Sequence, residues 1–320
     1  MKIKLLFVFF ILPTLIFSKT GGREELDPWY TGPLIAGSAT NLKQKMTNIQ
    51  YYQHIMNTYG MYHQTYAHSS RPDVLNFHEE FFIQYGILND LNISGDFNFT
   101  YTHEGKENNF HMADTMMKLY FQLLRGKQNS VIPYINFTYC LVLPTGKYKN
   151  LNPEKNGIDA SGGGSFSSNF GLNFQKLVRW FKNHPISFRL NLDYTYSPQV
   201  SVEGFNSYGG GYNTNGEVSP GENYIIVFAF EYSLTQRWVL ACDFTQMWNG
   251  KTTFTGTNGT NADGTAASNT ANKSRRTTIA PAVEYNFSSN LGIIAGPNFS
   301  VAENNSVDFT DWLISVTYTF

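Results

Sequence analysis

Between Ile186 and Ser197 the chain alternates without a break. Ile186, Phe188, Leu190, Leu192, Tyr194 and Tyr196 fall on one side, and Ser187, Arg189, Asn191, Asp193, Thr195 and Ser197 on the other. A period of two sustained in this way predicts a strand with one apolar and one polar face. Leu91 to Tyr101 repeats it, with Leu91, Ile93, Phe97, Phe99 and Tyr101 against Asn92, Ser94, Asp96, Asn98 and Thr100. Carried along the chain, the rule predicts twelve strands, at 49–59, 74–85, 91–101, 113–124, 131–143, 166–178, 186–197, 223–233, 237–248, 277–287, 290–301 and 309–320. Their lengths lie near the roughly 9–11 residues that a tilted strand needs to cross hydrocarbon. The first, second and sixth carry mixed patterns, such as Glu79 beside Glu80. A bulge or an extension beyond the membrane accounts for such a lapse.

The connections alternate in length as well. Short ones fall at 86–90, 125–130, 179–185, 234–236 and 288–289, and long ones at 144–165, 198–222 and 250–276, the long ones rich in Gly, Asn, Thr and Ser; only the last outer connection, near 303–308, is brief. Short periplasmic turns alternating with long extracellular loops mark an outer-membrane barrel. The long loops, including the low-complexity run 252–273, are expected to be flexible and solvated. A soluble β-sandwich also alternates, but its buried face carries fewer Tyr and Trp, which prefer a membrane interface. Here Tyr194, Tyr196, Tyr224, Tyr232, Trp238, Trp248, Trp312 and Tyr318 stand at strand ends. The expected fold is all-β: a single transmembrane up-and-down antiparallel β-barrel over residues 49–320, with about twelve strands and both termini periplasmic.

The two ends of the chain agree. Lys2 and Lys4 precede an apolar run at 5–17, closed by Ser18. That run is interrupted by Pro13 and too short to span a bilayer as a helix, so residues 1–18 read as a secretory signal peptide. At the other end Trp312, Ile314, Val316, Tyr318 and Phe320 share one face of the last strand. This aromatic-tipped finish resembles the closing strand of Gram-negative outer-membrane β-barrels, which implies outer-membrane lipid and the barrel-assembly machinery as partners. Between the ends, residues 19–48 carry Pro28, Trp29, Tyr30 and Pro33 before any strand. This periplasmic segment reads either as a cap or inserted plug, or as a loosely ordered leader.

Composition narrows the chemistry. Without residues 1–18, which carry two lysines and no acid, the formal charge moves from −1 to −3, and nucleic acid is not an expected partner. Parity places Cys140 on the lumen side and Cys242 on the lipid side, so no disulfide is expected. The same parity predicts a lumen lined by Asp96, Asp114, Lys118, Arg189, Asp193, Glu231, Asp243 and Glu284. With two cations among them, the set implies mutual neutralisation and a residual acidic excess favouring cationic or neutral solutes. Of seven histidines, five lie in the first 103 residues and are expected at the extracellular ends of the early hairpins. His78 with Asn76, or His111 with Asp114, are fragments of a catalytic set, but no serine is placed to complete a phospholipase-like site. No metal-ligand spacing or phosphate-binding loop is present, so no catalytic residue, metal or cofactor is expected.

Two short motifs carry a family likeness: 27–34, reading Asp-Pro-Trp-Tyr-Thr-Gly-Pro-Leu, and Leu143-Pro144-Thr145-Gly146 at the end of the fifth strand. In these the chain resembles a family of bacterial outer-membrane transporters named for the meta-pathway of phenol degradation. The resemblance implies a pore or uptake barrel for small solutes, including aromatic or other hydrophobic compounds. The alternatives are a non-conducting structural or surface-interaction barrel and, behind it, a lipid-modifying enzyme.

Overall fold

The computed structural model describes residues 28–127, 130–181 and 183–320; the predicted signal peptide lies outside them. The strands are β1 (Thr47–Tyr62), β2 (His68–Leu88), β3 (Leu91–Glu104), β4 (Glu107–Met112), β5 (Thr115–Leu124), β6 (Tyr134–Leu143), β7 (Ser168–Phe181), β8 (His184–Tyr196), β9 (Val200–Glu203), β10 (Asn215–Ser219), β11 (Asn223–Ser233), β12 (Trp238–Asn249), β13 (Thr253–Thr257), β14 (Ser274–Asn286), β15 (Leu291–Asn304) and β16 (Ser306–Thr319). β4 and β5 form one strand broken at Ala113 and Asp114, since β3 pairs with β4 through residues 99–104 and with β5 through residues 91–96. Counting that pair once, twelve strands close into an antiparallel barrel, with β2 on β3 and β16 on β1 completing the ring. Every predicted strand is present, and the mixed first and sixth segments contain register shifts, at Thr58/Gly60 in β1 and at Val178/Phe181 in β7.

The alternation sorts faces as an amphipathic strand in lipid requires. On β16, Trp312 is 55% exposed while its neighbour Leu313 is 3% exposed. Rings meet laterally at both rims. At the loop-rich end Tyr139, Phe170, Tyr194, Tyr224 and Trp248 occupy paired positions on five consecutive strands. Successive centroids there lie 5.4, 6.4 and 5.0 Å apart from Tyr139 to Tyr224. At the opposite rim the Trp238 and Tyr285 rings meet at a tilt, with centroids 4.7 Å apart. Trp238 and Trp248 share β12, and their separation of about 33 Å along the strand projects to about 25 Å on the axis at ordinary tilt, the height of an apolar belt.

The extracellular loops depart from expectation. Rather than hanging free, β9, β10 and β13 form a separate three-stranded antiparallel sheet. Val200, Val202 and Val218 are buried together there, packed by Tyr148, Tyr208 and Phe254. Strands of four and five residues are too short to stand out in an alternation search, and their core is completed by Phe254 and Tyr148 from two other loops. Loop 144–167 is stitched to this sheet by Tyr208 Oη donating to Gly163 O at 2.6 Å and Ser207 Oγ donating to Gly162 O at 2.7 Å. Its foot is the Pro-Thr-Gly motif. Thr145 Oγ1 donates to Ala113 O at 2.8 Å and accepts from Thr115 N at 3.0 Å, which spans the break between β4 and β5. Gly146 is required because a Cβ there would overlap Ser161 O. Asp114, expected along the lumen wall, sits in the break and accepts from Gly146 N at 2.9 Å and Gly163 N at 2.8 Å, so its carboxylate fastens the loop.

Within loop 144–167, Lys147 Nζ lies 2.7 Å from Asp159 Oδ2, which also accepts from Asn152 N at 3.0 Å. Burial pushes the Asp159 carboxyl up, but the lysine and the backbone N–H outweigh it and hold it below its ordinary range. With the folded value depressed, the stabilisation is complete above the unfolded value of about 3.9 and is lost as pH falls through the folded one. Hydrogen exchange in residues 147–160, corrected for intrinsic rates, should accelerate below about pH 4, while Asp159→Asn should already exchange fast at neutral pH and lose the acid dependence. Identical profiles for the two proteins would refute this role.

Candidate functional site: the barrel interior and its N-terminal strap

The inner wall is polar, and the stretch from Trp29 to Met46 lies against it. At one end Trp29 N donates to Gln236 O in a periplasmic turn and Tyr30 Oη to Pro185 O at the periplasmic start of β8. The chain then passes strand by strand around the wall. Thr31 N donates to Glu284 on β14, and Leu34, Ile35 and Ala36 N donate to the Asp243 carboxylate on β12 at 3.0, 3.3 and 2.8 Å. On β8, Arg189 Nη1 donates to Ala36 O at 3.2 Å and Asn191 Nδ2 to Gly37 O at 3.2 Å. Gln175 on β7 accepts from Ala39 N, Asn136 on β6 donates to Ser38 O, and Gln122 on β5 accepts from Asn41 N at 2.8 Å. Asn92 on β3 then accepts from Leu42 N and donates to Leu42 O before the chain enters β1. An extended segment without its own ladder leaves its N–H and C=O groups unpaired, and the wall supplies the partners.

Apolar seats complement the polar ones. Leu34 packs on Ala241, Ala280, Ala282, Ile294 and Leu313, and Ala36 on Val227 and Ala229. Four of those wall residues are alanines, whose short side chains leave room for a second backbone. Gly292 serves the same end, since a Cβ there would overlap Thr31.

The eight residues expected along the lumen therefore divide. Arg189, Glu231, Asp243 and Glu284 are buried around the strap, with Arg189 Nη2 3.0 Å from Glu231 Oε2. Glu284 also accepts from Asn286 Nδ2 at 2.6 Å. Asp96, Lys118 and Asp193 form a second group, in which the Lys118 ammonium interacts electrostatically with both carboxylates. Asp114 belongs with the loop, as described above. Sequence parity missed Arg276, which lies 3.5 Å from the buried Glu303. It stands inside β14 at a position assigned to a loop. Asp311 on β16 was also missed, and it meets His54 Nδ1 at 2.9 Å.

His54 and His78 correct the expectation that the early histidines decorate extracellular ends. They pair across β1 and β2 with ring centroids 5.4 Å apart, and His78 Nε2 lies 2.9 Å from Asn98 Oδ1. Strand length explains it: β1 and β2 run well past the membrane, so His63 and His68 mark the rim while His54 and His78 stand in the wall. Cys140 and Cys242 are free thiols. Among the described residues no three His, Cys, Asp or Glu side chains converge to hold a metal ion.

The sequence profile of the family described as "Putative MetA-pathway of phenol degradation" matches residues 59–308. The chain belongs to that family. No curated protein matches it in sequence. Among solved structures, the COG4313 outer membrane channel from Pseudomonas putida F1 is similar, with a TM-score of 0.66 at 14% identity, covering 92% of this chain and 100% of that one. At that identity the likeness establishes a shared fold, an outer-membrane barrel. The TodX monoaromatic hydrocarbon channel aligns more loosely, with a TM-score of 0.38 at 8% identity over 92% of this chain and 95% of that one. The KdgM porin aligns with a TM-score of 0.43 at 10% identity over 85% and 99% of the two chains.

Asp243 is the strongest single holdfast of the strap, because one carboxylate accepts three successive N–H groups. In a Ser38→Cys protein, adding Asp243→Ala should raise the rate of labelling at residue 38 by about tenfold or more, since each charge-assisted bond lost is worth about 1.5–3 kcal/mol. An unchanged labelling rate would show that the strap is held by its other contacts alone.

Proposed function

We propose that the protein is an outer-membrane channel for small solutes and that residues 28–46 act as a plug on its periplasmic side. The observation that carries this reading is the hydrogen-bonded course of the strap around a polar inner wall. A barrel that served only as an anchor has no need of a dedicated segment along the lumen. A channel that must not leak does. Family membership and the shared channel fold support the same conclusion. No catalytic step is assigned, and the solved structure that shares its fold is an outer membrane channel.

Passage is set by what the strap leaves uncovered. Asp96, Lys118 and Asp193 line that remaining wall and, with two carboxylates to one ammonium, disfavour anions. Aromatic or other hydrophobic compounds are the solute class that the family description suggests. The aromatic face of Trp312, Ile314, Val316, Tyr318 and Phe320 is the part that the barrel-assembly machinery would engage during insertion.

Deletion of residues 23–40 tests the reading in planar bilayers. Wild-type protein should conduct weakly, and the deletion should open a larger, mildly cation-preferring conductance while the barrel still folds and remains heat-modifiable on gels. A folded deletion variant with wild-type conductance would refute the plug, and absence of any conductance in both would refute an ion-permeable pore.

A further inference from the structure

The outer wall carries a feature that conduction does not use. On the face of β7, β8, β11 and β12 a groove of about 650 Å³ runs between side chains that point away from the lumen. Phe170, Leu172, Leu192, Tyr194 and Ile226 line it, and Tyr224 and Trp248 form its upper edge in the loop-side aromatic row. Those two rings also border a second hollow of about 660 Å³, immediately beyond the apolar belt, that contains Lys251, Lys273 and Arg275. Arg275 is paired with Trp248 on the neighbouring strand, so the cation sits beside the ring at the top of the groove.

The three cations are exposed, and among the described residues none is in a salt bridge. Arg275 Nη2 reaches Gln246 Oε1 at 3.2 Å. The only acid in the hollow, Glu222, is engaged by Tyr224 Oη at 3.0 Å. An apolar channel at hydrocarbon depth that opens upward into a net positive hollow at headgroup depth matches one kind of molecule. It needs acyl chains below and phosphate above.

We propose that this face binds a phosphorylated, acylated lipid of the outer leaflet, with phosphate held by Lys251, Lys273 and Arg275 and an acyl chain lying along the groove beneath Tyr224 and Trp248. Basic clusters at a membrane surface attract anionic headgroups, and an aromatic pair at the interface fixes the depth of the chain below them. The site lies outside the barrel and does not depend on whether the lumen conducts. Its position at the loop-rich end assigns it to the outer leaflet, whose phosphorylated glycolipid, lipid A, is the occupant.

Binding of purified bisphosphorylated lipid A to the full chain in detergent, followed by native mass spectrometry and by Trp fluorescence, tests this. Wild-type protein should bind it in preference to enzymatically dephosphorylated lipid A and to phosphatidylcholine. The triple variant Lys251→Gln, Lys273→Gln, Arg275→Gln should bind it about tenfold or more weakly and lose the preference. Lys251→Arg with Lys273→Arg should retain both, which separates lost charge from disturbed folding. Equal binding by wild type and the triple variant, or equal binding of the dephosphorylated lipid by the wild type, would overturn the proposal.

Discussion

Thr47 and Phe320 exchange two backbone hydrogen bonds, N to O at 2.7 Å and 2.8 Å, and in doing so join the first strand of the barrel to the last. Everything else follows from that closure. An open sheet in hydrocarbon would expose a row of unpaired N–H and C=O groups at several kcal/mol each. Once the ring is shut, every strand must present one face to lipid and the other inward, and the side-chain period of two becomes a division between solvents. The outward face carries the aromatic rims and the apolar belt. The inward face is free to be polar, and it is.

Charged side chains buried on the inner wall create a second demand, because charges removed from bulk water need partners. Arg189 meets Glu231, Arg276 meets Glu303, and Asp243 spends its lone pairs on the backbone of Leu34, Ile35 and Ala36. The strap and the wall satisfy one another: an extended chain with no ladder of its own finds donors and acceptors on successive strands, and those side chains find a backbone. The loop end is organised by the same logic. Asp114 ties loop 144–167 to a break in the wall, and three valines of loop 198–222 make a small core above it with rings from two other loops.

Much of this was legible beforehand. Strict alternation in residues 186–197 and 91–101 set a rule that located all twelve strands, and the two lengths of connection oriented them. The strap's seats left a fainter trace. Ala229, Ala241, Ala280 and Ala282 cluster with Val227, Ile294 and Leu313 among the inward positions, and small apolar residues in a lumen wall signal that something packs there. Arg276 was hidden by a strand boundary placed three residues late, at 277 rather than Ser274. His54 and His78 were misplaced because β1 and β2 extend beyond the membrane, so position along the chain did not convert to height along the axis.

What the chain determined by itself is the barrel, because strand identity, facing and order depend on local alternation and on nearest-neighbour pairing between consecutive segments. Only the tertiary structure decided the rest. Which carboxylate holds the strap, that β9, β10 and β13 assemble into one sheet, and that Lys251, Lys273 and Arg275 gather above an apolar groove are contacts between segments far apart in sequence. Such contacts leave no period to read. They depend on how closure brings distant strands round to face one another, and that geometry exists only after the last strand has met the first.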